Sequence, residues 1–182
     1  MKVIKTKLPG VVIIEPKVFG DHRGFFVESF HAERYAAEAG IELPFVQDNH
    51  SRSTRGVLRG LHFQVNKPQG KLVRVVSGEV LDVALDINPT SQTYGQYESV
   101  MLSGDNHRQF WVPPGYAHGF VVLSDSADFE YKCTDFYDPA DEGGVLWNDP
   151  ALAINWQFES PELSDKDLIL PTLAELNAAA KL

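Results

Sequence analysis

At 182 residues the chain has the length of one domain, and folding on that scale buries about 70% of the surface an unfolded chain exposes, so a core needs no disulfide or metal staple. Hydrophobic residues at 43% and charged residues at 23% match a globular composition and exclude a disordered, collagen-like or coiled-coil chain. A net charge of −9 from 16 basic and 25 acidic residues repels a phosphate backbone and argues against nucleic-acid binding, unless cations gather in one pocket. The one cysteine, Cys133, offers no internal disulfide, and the opening MKVIKTKLPG has no apolar stretch behind its lysines. Apolar runs such as 11–14 stop far short of a membrane span. A single cytoplasmic domain over 1–182 is expected, with no membrane partner.

Short runs rich in Val, Ile, Phe and Tyr recur between Gly, Pro, Asn and Asp breaks, at the spacing of a sandwich or barrel. In chain order, strands are expected at 11–15 and 25–30, followed by a short helix over 31–39 that Gly40 stops. Further strands are expected at 45–51, 57–64, 71–77, 80–86, 97–102, 109–112, 117–123 and 129–134. Ser77-Gly78-Glu79 and Gly115-Tyr116 supply turns, and Pro113-Pro114 cannot sit in a central strand. Residues 137–164 carry Trp147, Trp156 and Phe158 among prolines and glycines, which reads as irregular chain packed onto the strands. Thr172 to Glu175 fits a capping box that opens a helix and an alanine-rich tail. An all-β jelly-roll barrel hides the edges of so many short strands. The apolar run 11–14 is read as an edge that needs covering, which points to a homodimer joined by strand exchange near the N-terminus.

Polar residues inside strands carry the functional signal, because burying them unpaired is costly. Segment 57–64 (VLRGLHFQ) holds Arg59, His62 and Gln64, segment 45–51 (FVQDNHS) holds Gln47, Asp48 and Asn49, and Lys71 opens KLVRVV. Asp82 and Asp86 alternate in LDVALD, Tyr131 alternates with Phe129 and Cys133, and His118 follows a Pro-Pro-Gly-Tyr turn. Pointing inward, these groups would line a cavity. Arg59 and His62 have opposite parity, and Gly60 between them marks a bulge that would bring both to one face. Each residue also has an ordinary reading: His62 as a structural histidine, Arg59 as a surface cation, Asp82 and Asp86 as the solvated face of a sheet, Tyr131 as core. His62 and His118 each lack a second imidazole on their strand, which argues against a metal. No dinucleotide, phosphate-loop or nucleophile-elbow motif is present.

Seven segments in order, FGDHRGFF at 19–26, FVQDNHS at 45–51, VLRGLHFQ at 57–64, GKLVR at 70–74, PPGYAHGF at 113–120, Tyr131-Lys132 before Thr134-Asp135, and Leu163-Ser164 before Lys166-Asp167, resemble the dTDP-4-dehydrorhamnose 3,5-epimerases, metal-free members of the cupin superfamily. The resemblance runs from about Pro9 to about Asp167. It implies His62 as the base, Tyr131 as the acid on the opposite face, Asp167 as the partner of His62, and Lys71 as the stabiliser of an enolate. It also implies that Arg23, Glu28, Gln47, Asn49, Arg59, His118, Glu142 and Lys166 line a nucleotide-sugar site, with Arg23 and Glu28 contributed by a second subunit.

Elementary chemistry agrees with that set. A 4-keto sugar holds its own electron sink, since loss of a proton from C3 or C5 gives an enolate on the C4 oxygen, so no cofactor is expected. The protein must supply a base, a cation at the oxyanion and an acid on the other face. A carboxylate on the far ring nitrogen orients the base, with Asp167 the first choice and Asp82 the second. An epimerase that inverts C3 alone is the near alternative. A metal-dependent or purely sugar-binding cupin is the distant one.

Overall fold

The computed structural model describes residues 1–179. The β-branched and aromatic runs build two antiparallel sheets that face each other. The six-stranded sheet has the order β1 (Lys2–Lys5), β2 (Val12–Glu15), β10 (Gln109–Val112), β7 (Lys71–Ser77), β12 (Ser126–Cys133), β5 (Gln47–Thr54). The five-stranded sheet has the order β13 (Glu142–Gly144), β6 (Leu58–Gln64), β11 (Tyr116–Val122), β8 (Glu79–Asp86), β9 (Tyr97–Ser103). From β5 onward the chain crosses repeatedly between the sheets, the connectivity of a jelly roll. A separate hairpin pairs β3 (Val18–Asp21) with β4 (Gly24–Val27).

Period-two alternation sorts the side chains of both sheets. Val73, Val75, Phe110 and Phe129 of the larger sheet meet Val80, Val100, Leu102 and Phe120 of the smaller one in the core between them. Outside the smaller sheet, Leu58, Leu61, Phe63, Leu81 and Val83 are covered by Val145, Leu152, Trp156, Leu173 and Leu176. Outside the larger sheet, Val12, Ile14, Leu72 and Trp111 are covered by Tyr35 of α1 (Ala32–Ala39) and by Ile41. Each such side chain, fully buried, contributes about 1.5–3 kcal/mol. Beyond the apolar layer, the same inner faces carry Lys71, Tyr131, His62 and His118, so the barrel is packed in one part and hollow in another.

The Gly60 bulge expected from the sequence is present. His118 pairs with His62 and Phe120 with Arg59, so Gly119 alone faces Gly60 and Leu61. The extra residue resets the alternation: Leu58, Leu61 and Phe63 pack outward, while Arg59, His62 and Gln64 line the interior. Gly60 has φ +135°, and a Cβ there would lie 2.5 Å from the Gly119 Cα.

Other expectations change. The run 11–14 is no free edge, because β2 is paired on one side by β1 and on the other by β10. β1 was missed because its apolar pair Val3-Ile4 is flanked by lysines, and β13 because its sequence, Glu-Gly-Gly, is strand only by pairing with β6. β3, Val-Phe-Gly-Asp, was also missed because Gly20 and Asp21 read as a break. The strand expected over 25–30 ends at Val27, and that expected from 45 begins at Gln47. Lys166 and Asp167 lie in a helical turn, α2 (Asp165–Leu168), capped by Ser164. The capping box of α3 (Leu173–Ala178) forms as expected, and residues 180–182 of the alanine-rich tail lie outside the described residues. Trp156 is buried, its indole N–H donating to the Trp147 carbonyl at 2.8 Å, which matches the packing role expected of it. Among the described residues, no helix is long and apolar enough to cross a membrane.

Gly60→Ala is expected to cost about 1–3 kcal/mol from the backbone conformation alone, with more from the approach to Gly119, and to reduce activity by turning His62. Urea unfolding and turnover check this. A variant with native midpoint and native rate would show that the bulge does not aim His62.

Candidate active site

The hollow part of the barrel is a cavity of about 800 Å³ walled by both sheets. His62, Tyr131, Asp167, Lys71, Gln47, Asn49, Arg59, His118, Glu142 and Lys166 all line it. Phe120 and Phe129, stacked at 4.1 Å, give it an apolar surface.

On the five-stranded side, β6 presents His62. Its Nε2 lies 2.7 Å from Oδ1 of Asp167, which is 3% exposed. Burial pushes the Asp167 carboxyl up, but the hydrogen bond and charge of His62, the Gly60 N–H and Lys166 outweigh it and hold the group below its ordinary pKa. An ionised Asp167 can only accept, so the proton between them sits on Nε2 and the lone pair on Nδ1. The second carboxylate, Glu142 on β13, stands at Nδ1, with Oε1 3.9 Å away. Its Oε2 accepts from Lys166 Nζ at 2.7 Å and from Tyr137 Oη at 2.9 Å. Burial opposes ionisation of Glu142, and these two donors together with His62 prevail and lower its pKa.

Asp167 reaches His62 because the chain before it is pinned to the barrel. Glu162 bonds Gly56 and Leu58 through its backbone N–H and carbonyl, each at 2.9 Å. The Ser164 hydroxyl then accepts the Asp167 N–H at 3.2 Å.

On the six-stranded side, register fixes the rest. Tyr131 lies opposite Asn49 and Val73, and Cys133 lies opposite Gln47 and Lys71. Tyr131, Asn49, Gln47 and Lys71 therefore share one face, across the cavity from the strand that carries His62. Burial raises the Tyr131 phenol to about 12, with Cys133 adding to the effect and Arg59 opposing it. Burial lowers the Lys71 ammonium, and the attraction of Cys133, Glu142 and Asp82 restores part of the loss.

Asp82 orients a different histidine. It is fully buried and lies 2.8 and 3.0 Å from Nε2 of the buried His118. Burial raises its pKa against the pull of His118 and Lys71. The solvated reading of Asp82 and Asp86 fails, since both are buried and Asp86 is bonded by Ser91, Thr93 and the Asn88 N–H. Arg59 uses Nε on the Ser53 hydroxyl at 3.1 Å, and with Lys71 and Lys166 it concentrates positive charge in an acidic protein.

Two expected residues lie elsewhere within this chain. Arg23 sits in the turn of the β3–β4 hairpin, paired with Asp21, and Glu28 pairs with Arg34. The cavity also contains Ser51, Gln69, Tyr137 and Glu162, which sequence reasoning did not assign to it. Ser51 was within reach, being two residues beyond Asn49 on the same strand face. Tyr137 had no periodic signal because it lies in irregular chain.

Residues 5–175 match the family model described as dTDP-4-dehydrorhamnose 3,5-epimerase. The chain is 56% identical to the dTDP-4-dehydrorhamnose 3,5-epimerase of Shigella flexneri, over 92% of this chain and 93% of that one. It superimposes with a TM-score of 0.95 and 54% identity on the Legionella pneumophila enzyme solved with dTDP-4-keto-L-rhamnose, covering 98% of this chain and 95% of that one. A 3′-monoepimerase from Streptomyces bikiniensis, solved with dTDP-quinovose, has a TM-score of 0.90 at 34% identity, over 97% of this chain and 90% of that one. With its jelly roll and its sequence aligned nearly end to end, the chain belongs to the dTDP-4-dehydrorhamnose 3,5-epimerase family.

Proposed function

We propose that this chain inverts C3 and C5 of dTDP-4-dehydro-6-deoxy-D-glucose, giving dTDP-4-dehydro-L-rhamnose on the route to dTDP-L-rhamnose, with no cofactor. The observation that carries the reading is the placement of His62 and Tyr131 on opposite sheets, with the lone pair of His62 directed away from Asp167. Inversion needs a proton removed from one face and returned to the other. His62 Nδ1 takes the proton, and the C–H electron pair moves onto the C4 oxygen. Lys71, whose hold on its proton burial has weakened, donates to that oxyanion. Tyr131, kept protonated by burial, then returns a proton to the opposite face. Asp167 keeps the imidazole in its working tautomer.

Arg59, Lys166, Gln47, Asn49 and His118 complete the nucleotide-sugar site, the arginine offering a bidentate grip on the diphosphate. The 3,5-epimerases share more of this sequence than the 3′-monoepimerase does, which favours double inversion over C3 alone. Among the described residues no group of three or more His, Cys, Asp or Glu is placed to hold a metal ion. A cytoplasmic address fits the lone, buried cysteine.

The same reading makes residues 1–182 one domain that works as a homodimer. The β3–β4 hairpin exposes Val18, Phe19, Phe25 and Phe26, the last two at 63% and 68%, and carries Arg23 in its turn. Apolar surface of this kind calls for a partner. A second subunit receiving the hairpin would gain Arg23 and Glu28 for its own cavity.

Three measurements test these statements. In D₂O, proton NMR should show His62→Ala losing exchange at C3 and C5 together, by roughly 10² to 10⁴. Tyr131→Phe should still admit deuterium to the starting sugar while inverted product falls sharply; native inversion by this variant, or exchange by the His62 variant, would reassign both roles. Activity should survive exhaustive chelation, and loss restored by one stoichiometric metal would end the metal-free reading. Light scattering at micromolar concentration should give a dimer, and a fully active monomer would remove the exchanged hairpin.

A further inference from the structure

The double inversion proposed above makes a demand that its chemistry leaves open. After the first inversion His62 holds an extra proton and Tyr131 has lost one, so neither can act again until both are reset. The ring of His62 touches two carboxylates. Asp167 cannot release the proton: it is buried, one oxygen holds Nε2–H, and the other faces the Gly60 N–H at 3.5 Å. Glu142 is differently placed. Its Oε2 is occupied by Lys166 and Tyr137, whereas Oε1, 3.9 Å from Nδ1, accepts no hydrogen bond among the described residues. Lys166 and Tyr137 are exposed, so the far side of Glu142 opens to solvent.

We infer that Glu142 resets the base between the two inversions, taking the proton from His62 Nδ1 through Oε1 and passing it to water. The inference rests on the proposed function. In the first inversion the C–H bond breaks, an N–H bond forms at Nδ1, and the electron pair rests on the C4 oxygen. The Tyr131 O–H bond then breaks as the new C–H bond forms from the other face. In the reset, the Nδ1–H bond breaks and an O–H bond forms at Glu142, which yields its proton to water, while the Tyr131 phenolate takes a proton from water. Protons balance, and no electrons change hands. Lys166 and Tyr137 favour the ionised carboxylate, so Glu142 gives the proton up readily. Glu142 is thus a positioning and relay residue that acts through His62.

The test uses the full chain, dTDP-4-dehydro-6-deoxy-D-glucose and NMR of the released sugars in D₂O, with wild type in parallel. Glu142→Gln keeps an oxygen for Lys166 and Tyr137 but removes the proton acceptor. It should raise the ratio of singly to doubly inverted product roughly tenfold or more. Added formate or acetate should restore the doubly inverted product in proportion to its concentration, and Glu142→Asp should shift the ratio less than the glutamine does. If both inversions slow in parallel, with an unchanged ratio and no response to carboxylate buffer, Glu142 only holds its neighbours and the relay is wrong while the double inversion stands. If wild type exchanges a single carbon, the double inversion itself fails and the relay with it.

Discussion

The contact between His62 and Asp167 holds the site together, joining residues 105 positions apart in sequence at 2.7 Å. A buried carboxylate without a partner is strongly disfavoured, so Asp167 is stable in place only with the imidazole, the Gly60 N–H and Lys166 around it. Much of the irregular chain beyond β12 serves that placement. Glu162 joins the strand start at Leu58, Phe158 fills the space beside Gly56 where a Cβ would come within 2.8 Å, and Ser164 caps the turn that carries Asp167. His62 is therefore oriented by a segment outside the barrel, and the barrel's own bulge turns its ring toward that segment.

The cavity exists because the inner faces change character along their strands. On β12, Ala127 and Phe129 belong to the apolar core and Tyr131 to the cavity wall, and on β7 the sequence runs from Val75 and Val73 to Lys71. Polar groups deep in such a wall need partners, and they have them. His118 faces Asp82, and Gln47 donates to Asn49 at 3.0 Å. Among the described residues no buried side-chain nitrogen or oxygen lacks a hydrogen-bond partner. Hydrogen bonds of this kind hold the polar groups of the wall that make them in fixed positions.

Much of this was legible because antiparallel sheets write their faces into the sequence at period two. Lys71 and Tyr131 were marked by polarity on otherwise apolar faces, Gln47 and Asn49 by a polar face within a strand, and the one conflict, Arg59 against His62, was resolved by the glycine between them. What escaped had no periodicity to betray it. β13 is two glycines and a glutamate made strand by its neighbour, and Tyr137 lies in irregular chain. The pairing of Asp167 with His62 rather than His118 depends on where a loop lands, and spacing alone left Asp82 open. The strand over 11–15 forms as β2, but its reading as an uncovered edge fails, because β1, with a lysine at each end, gave too weak a signal to be counted as its cover.

The two walls of the cavity treat their titratable groups differently. Burial in the six-stranded wall holds the Tyr131 phenol protonated, with a pKa near 12, and loosens the proton on Lys71. The five-stranded wall places two carboxylates against His62, both held ionised by their neighbours. In the reaction proposed for this chain, negative charge developing on the sugar oxygen would face the Lys71 ammonium. Two ionised carboxylates, Asp167 and Glu142, thus stand at His62 on one wall, while Lys71 shares a strand face with Tyr131 on the other, so the proton transfer proposed across the ring would separate charge in the sense this arrangement favours.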